Sequence, residues 1–132
     1  MLARVPAYPY QPAMSPAVRL ALTHIRQGLA QLVREGRGSV IDLARIAAGP
    51  GEYEQLRDVL GDGEVFATVA TDGRAVVRET GIAGVWWIER DRGEDTPAAR
   101  LIEIGYVPCV LVAHKDDVDS GLRQLSTRLA GG

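Results

Sequence analysis

The chain holds a single cysteine, Cys109, in 132 residues. One thiol cannot build an internal disulfide framework or a thiol-rich metal site. Charge is close to balance, with 15 basic against 17 acidic residues, so there is no electrostatic footprint for nucleic acid as a partner. No apolar run approaches the ~20 residues of a spanning helix, and membrane insertion is not expected. The first residues, MLARVPAYPYQPAM, lack a continuous apolar segment and do not read as a signal peptide. A reduced, cytoplasmic setting is the resulting expectation. Aromatic residues make up only 5% of the chain, which singles out Trp86-Trp87, where both tryptophans stand side by side.

The chain is organised around Gly63 to Trp87. Val65, Ala67 and Val69 alternate with Phe66, Thr68 and Ala70, the period of two of a sheet strand. Asp72-Gly73 supplies the pair that a two-residue primed turn requires. Val76 and Val77 resume the strand, and Gly84 leads into a third strand through Trp86-Trp87. Neighbours on a strand point to opposite faces, so one indole can enter the core while the other looks outward; the alternative is that both rings are core.

Around this centre the pattern alternates. Residues 1–14 carry Pro6, Pro9 and Pro12 and read as an extended Pro/Tyr-rich arm, a disordered terminus or strap more than a ligand. Residues 15–132 read as one domain. Ser15-Pro16 opens a helix. Val18, Leu22, Ile25, Leu29 and Leu32 line its apolar face, opposite Arg19, Arg26, Gln27, Gln31 and Arg34. His24 has no histidine one turn on. Ser39 to Leu43 reads as a short strand. Gly49-Pro50-Gly51 breaks the chain without a phosphate-loop pattern, and a second helix is expected from Glu52. A strand runs through Leu101 to Tyr106, with Pro108 ending it or placing it at a sheet edge. A final helix from Lys115 to Leu129 carries Val118, Leu122, Leu125 and Leu129 as its stripe. The expectation is an α+β fold: a mostly antiparallel sheet of about four to five strands with about three helices packed on it.

Chemistry-bearing groups are few. Cys109 and His114 are close enough in sequence to suggest a cysteine–histidine dyad, with Asp116 or Asp117 following. The apolar run around Cys109 favours a small buried thiol. Glu79 stands at the end of the central hairpin, ahead of Thr80, and reads as a residue holding a loop by hydrogen bonds. Glu79, Thr80, Gly84, Trp86 and Trp87, with Val107 and Pro108, make a candidate partner-binding surface, because tryptophan concentrates binding energy at interfaces. No catalytic, cofactor or metal residue is assigned. The alternative is a small-molecule or cofactor pocket beside the double tryptophan, with Gly49-Pro50-Gly51 contributing. Self-association through an unpaired edge near Pro108 is a further possibility.

An ordered series of short blocks runs through the chain: Val40-Ile-Asp-Leu43, Leu60-Gly-Asp-Gly-Glu-Val65, Ala67-Thr-Val69, Arg78-Glu-Thr80, Gly84-Val-Trp-Trp87, then Val107-Pro108 and the acidic start at Asp116-Asp117. In this series the chain resembles the C-terminal domain of the hydrogenase expression/formation family called HupH or HyaF, also HoxQ, over roughly residues 17–130. The resemblance implies a non-enzymatic accessory protein, a chaperone in nickel–iron hydrogenase maturation. Its implied partner is the iron–sulfur small-subunit precursor before assembly, alongside a thioredoxin-like companion. Members of that family are longer, and Cys109 falls where they are expected to carry an acidic or polar residue.

Overall fold

The computed structural model describes residues 13–46, 49–71, 73–91, 93 and 98–131. The prolines at 6, 9 and 12 and Asp72, both read from the sequence above, lie outside the described residues.

The first helix, α1 (Pro16–Glu35), starts as its cap predicts: the Ser15 hydroxyl accepts the Val18 N–H at 3.1 Å. It ends at Gly36, in the left-handed conformation, whose N–H donates to the Leu32 carbonyl. Strand β1 (Ser39–Asp42) follows, then a 3-10 turn from Leu43 to Ile46. Helix α2 (Pro50–Leu60) begins two residues before the expected Glu52. Proline suits the first helical position, and Gly49 serves as the cap, so the break is the start of the helix. The Glu52 carboxylate takes the Gly49 N–H at 3.2 Å and the Ser15 hydroxyl at 2.6 Å. One carboxylate thus closes the start of α2 and ties it to the start of α1. These hydrogen bonds, the Ser15 one first, hold the Glu52 carboxyl below its ordinary range.

Strands β2 (Asp62–Thr71), β3 (Gly73–Thr80), β4 (Val85–Arg90) and β5 (Ala99–Ile104) form an antiparallel meander. With β1 added beside β5, the order is β1-β5-β4-β3-β2. Two expectations are corrected here. A two-residue turn at Asp72-Gly73 would pair Thr71 with Arg74, whereas the register pairs Thr71 with Gly73 and Ala70 with Arg74. The strand before Pro108 is not an edge: β5 is interior and ends at Ile104, and the edges are β1 and β2. Proline was read as an edge signal, but it lies four residues past the strand, where it removes no ladder bond.

The core lies between the sheet and α1 with α2. Val18, Ala21, Ile25 and Leu32 of α1 and Leu56 and Leu60 of α2 meet Val85, Trp87, Ile102 and Ile104. The opposite face carries a second cluster of Val77, Trp86 and Ile88, with Ala67, Leu101 and Val110 against it. Helix α3 (Lys115–Ala130) behaves differently. None of its residues is buried, and Val118, Leu122, Leu125 and Leu129 are all exposed.

Candidate functional site

The two tryptophans face opposite sides of β4, as alternation requires, yet neither is exposed: Trp86 is 7% and Trp87 3% accessible. Of the two readings of the pair, the one with an outward ring assumed a sheet covered on one face. Both faces bear clusters at this strand, so both indoles are core. The Trp87 Nε1–H donates to the Glu89 carboxylate at 3.1 Å, and the Arg57 guanidinium lies 5.7 Å from its ring centroid. A cavity of about 10 Å³ lies beside Trp87, lined by Arg57, Leu60, Arg78, Glu79 and Thr80. That is room for roughly one water. A small-molecule pocket beside the tryptophans does not fit this space.

Trp86 does something more specific. Its Nε1–H donates to the Gly105 carbonyl at 3.0 Å, and the Gly105 N–H donates to the Gly84 carbonyl at 2.9 Å. Both backbone groups of Gly105 are therefore held from β4 and the turn before it. Gly84 sits at φ +85°, where a side chain would be strained, and so brings its carbonyl to this position without cost. Glu103, the cross-strand neighbour of Trp86, is also buried, and its carboxylate accepts the Cys109 N–H at 2.6 Å. A loop clamped at Gly105 and Cys109 leaves Tyr106 73% and Val107 48% exposed, while Pro108 packs inward, fully buried.

Gly84, Trp86, Val107 and Pro108 are thus brought together, but in two roles. Val107 is displayed; Gly84, Trp86 and Pro108 hold it. Thr80, Trp87 and Pro108 are withdrawn from the contact surface by burial. Thr80 donates its hydroxyl to the Val85 carbonyl at 2.8 Å and accepts the Ile82 N–H at 3.1 Å, closing the β3–β4 turn. Glu79, on the Trp86 face, accepts the Glu64 N–H at 2.7 Å where β2 bulges. A Cβ on Gly63 would strike this carboxylate. Glu79 thus holds a strand bulge by its hydrogen bond, where a loop was expected.

Sequence reasoning missed Tyr106, Val40 and Glu103. Tyr106 and Val107 border an open groove of about 380 Å³, which Leu32, Gly38, Val40 and Cys109 also line. Val40 is exposed on the edge strand β1, opposite Glu103. Glu103 had a readable signal, since it takes an alternate position with Leu101 and stands between Ile102 and Ile104. The expected burial of the Cys109 thiol is corrected: Cys109 is exposed, and the nearby Glu103 carboxylate repels its thiolate and hydrogen-bonds the thiol, raising its pKa above the ordinary value. This is the reverse of an activated nucleophile, which needs a lowered pKa or an adjacent base.

Fold and surface together define an α+β domain on an open antiparallel sheet that displays a braced apolar loop. The chain belongs to the family described as HupH hydrogenase expression protein, C-terminal conserved region, which matches residues 16–131. This is the family to which the residue blocks from Val40 to Asp117 pointed. The chain is similar to the solved hydrogenase expression protein HupH from Thiobacillus denitrificans ATCC 25259, with 33% identity and a TM-score of 0.79, covering 91% of this chain and 100% of that one. It is also similar to the hydrogenase expression/formation protein HoxQ of Azotobacter vinelandii, 32% identical over 60 residues, 46% of this chain and 21% of that protein. Hydrogenase expression/formation protein HupQ of Azotobacter chroococcum mcd 1 is 30% identical over 95 residues, 71% of this chain and 33% of that protein. The matched segments thus span a third or less of these two relatives. Among the described residues, no helix is long and apolar enough to cross a membrane.

Proposed function

We propose that this chain is a non-enzymatic accessory protein of nickel–iron hydrogenase maturation that binds the iron–sulfur small-subunit precursor in the cytoplasm, before that subunit is assembled. The observation that carries this reading is the braced loop: Tyr106 and Val107 stand exposed beside Val40 and an open sheet edge. Apolar side chains held at the surface next to unpaired strand groups suit an extended, incompletely folded segment of another protein. Family membership supplies the context, hydrogenase expression. A thioredoxin-like companion acting on the same precursor fits this role. A chaperone must release its client, and a loop-and-edge contact of modest area suits that requirement.

The test is co-purification of the tagged protein with the small-subunit precursor. Wild type is expected to retain the precursor, and the Tyr106→Ala/Val107→Asp double variant to lose it while keeping native tryptophan fluorescence. Retention by a folded double variant, or no retention by wild type, would sink the reading.

A further inference from the structure

Helix α3 has an apolar stripe that the described residues do not cover. Val118, Leu122, Leu125 and Leu129 are separated by four, three and four residues and are 57–76% exposed. This is the narrow seam of a two-helix coiled coil, not the broader stripe of a helix lying on a sheet. The complementary surface for such a seam is another helix with the same spacing. Charge selects which one. Residues 115–122 contain three aspartates and one lysine, whereas residues 123–130 contain two arginines and no acid. Asp119 and Arg123 pair within the helix at 3.0 Å, leaving Lys115, Asp116 and Asp117 at one end, one negative charge in balance, and Arg128 at the other. Set side by side and antiparallel, two copies of α3 place acidic start against basic end, and their helix dipoles oppose favourably.

We infer that α3 is a self-association element, the seam of one copy closing antiparallel on the seam of a second copy about a two-fold axis. In this register Val118 meets Leu129 of the other copy, and Leu122 meets Leu125, so every apolar position is used twice. Leu111 and Val112, exposed just ahead of the helix, extend the contact. Sixteen helical residues span about 24 Å. A strip of that length and one helix wide, about 10 Å, covers well under the roughly 800 Å² per partner of a standard interface, so association depends on concentration. The inference is independent of the proposed client, since the loop at Tyr106 takes no part in it.

Sedimentation equilibrium over a dilution series tests it. The mass is expected to rise from 14.2 kDa toward twice that value with concentration. Leu122→Asp/Leu125→Asp is expected to weaken association by more than about tenfold, with tryptophan fluorescence unchanged because α3 contributes nothing to the core. In a Cys109→Ser background, oxidation should cross-link Val118→Cys chains to Leu129→Cys chains but not to themselves. A 14.2 kDa mass at every concentration up to the solubility limit, or an unweakened double aspartate variant, overturns the inference. Equal self-cross-linking of Val118→Cys overturns the antiparallel arrangement.

Discussion

Helices α1 and α3 have the same kind of sequence, an apolar stripe at helical spacing with charged residues opposite, and they end in opposite situations. In α1 the stripe is core: Val18, Ile25 and Leu32 are buried against the sheet. In α3 the equivalent residues face outward. Periodicity states that a helix has a face to bury, and it is silent on what buries it. The detail that separates the two lies in the stripe's width. In α1, Leu22 and Leu29 pack on the core beside Val18, Ala21, Ile25, Gly28 and Leu32, a band three positions wide in each seven, and Gly28 brings the backbone close to Ile104 of the sheet. In α3 the seam is two positions wide in each seven, and Asp119 and Ser126 flank it.

Matched substitutions sharpen this contrast. Ile25→Ala opens a cavity in the α1 core and should destabilise the fold by about 2–5 kcal/mol, read as a lowered urea midpoint. Trp86→Phe keeps most of the ring but leaves the Gly105 carbonyl without its donor, at a cost of about 1–3 kcal/mol. Amide exchange at Gly105–Cys109 should rise beyond that expected from global stability alone. Ser15→Ala removes the cap of α1 and the hydroxyl held by Glu52, for about 1 kcal/mol. The Glu52 carboxyl is depressed in the folded chain, so its contribution is present above its ordinary value of 4.5 and is lost as pH falls through the lower folded value. The stability gap between wild type and Glu52→Gln should therefore close on acidification below 4.5, seen in urea midpoints across that range. Leu125→Ala, measured on monomer, should change stability by less than about 0.5 kcal/mol. A large effect there would mean that α3 packs on its own chain, and the contrast with α1 would fall.

Most of the architecture was legible because it rests on local rules. Ser15-Pro16 fixed the start of α1, alternation gave β2 and β3, and the ordered blocks pointed to the family. What stayed hidden depends on contacts between strands distant in sequence. Nothing local says that β1 returns to pair with β5, yet that pairing makes β5 interior and turns Val107-Pro108 from a strand edge into a loop. The burial of both Trp86 and Trp87 needs a second apolar cluster, built from Val77, Ile88 and Leu101 on three strands. The candidate site was half legible: Gly84, Trp86, Val107 and Pro108 were named, but as one surface instead of a support and its display. Tyr106 escaped notice because exposure is a property of the loop, and that loop is held by Glu103 and Trp86 from beneath.

The clamp on Gly105 and Cys109 has a kinetic consequence. A surface loop ordinarily surrenders backbone freedom when a partner seizes it, at roughly 1–2 kcal/mol for each residue fixed. Here much of that ordering is completed when the chain folds, since the Gly105 N–H and carbonyl and the Cys109 N–H are already satisfied. Were a client chain to dock here as proposed, Tyr106 and Val107 would meet it in their final posture, and encounter would need no rearrangement on this side. Under the proposed function the conformational search would be left to the client, and the rate of capture would report how often the client, and not this protein, visits the right shape.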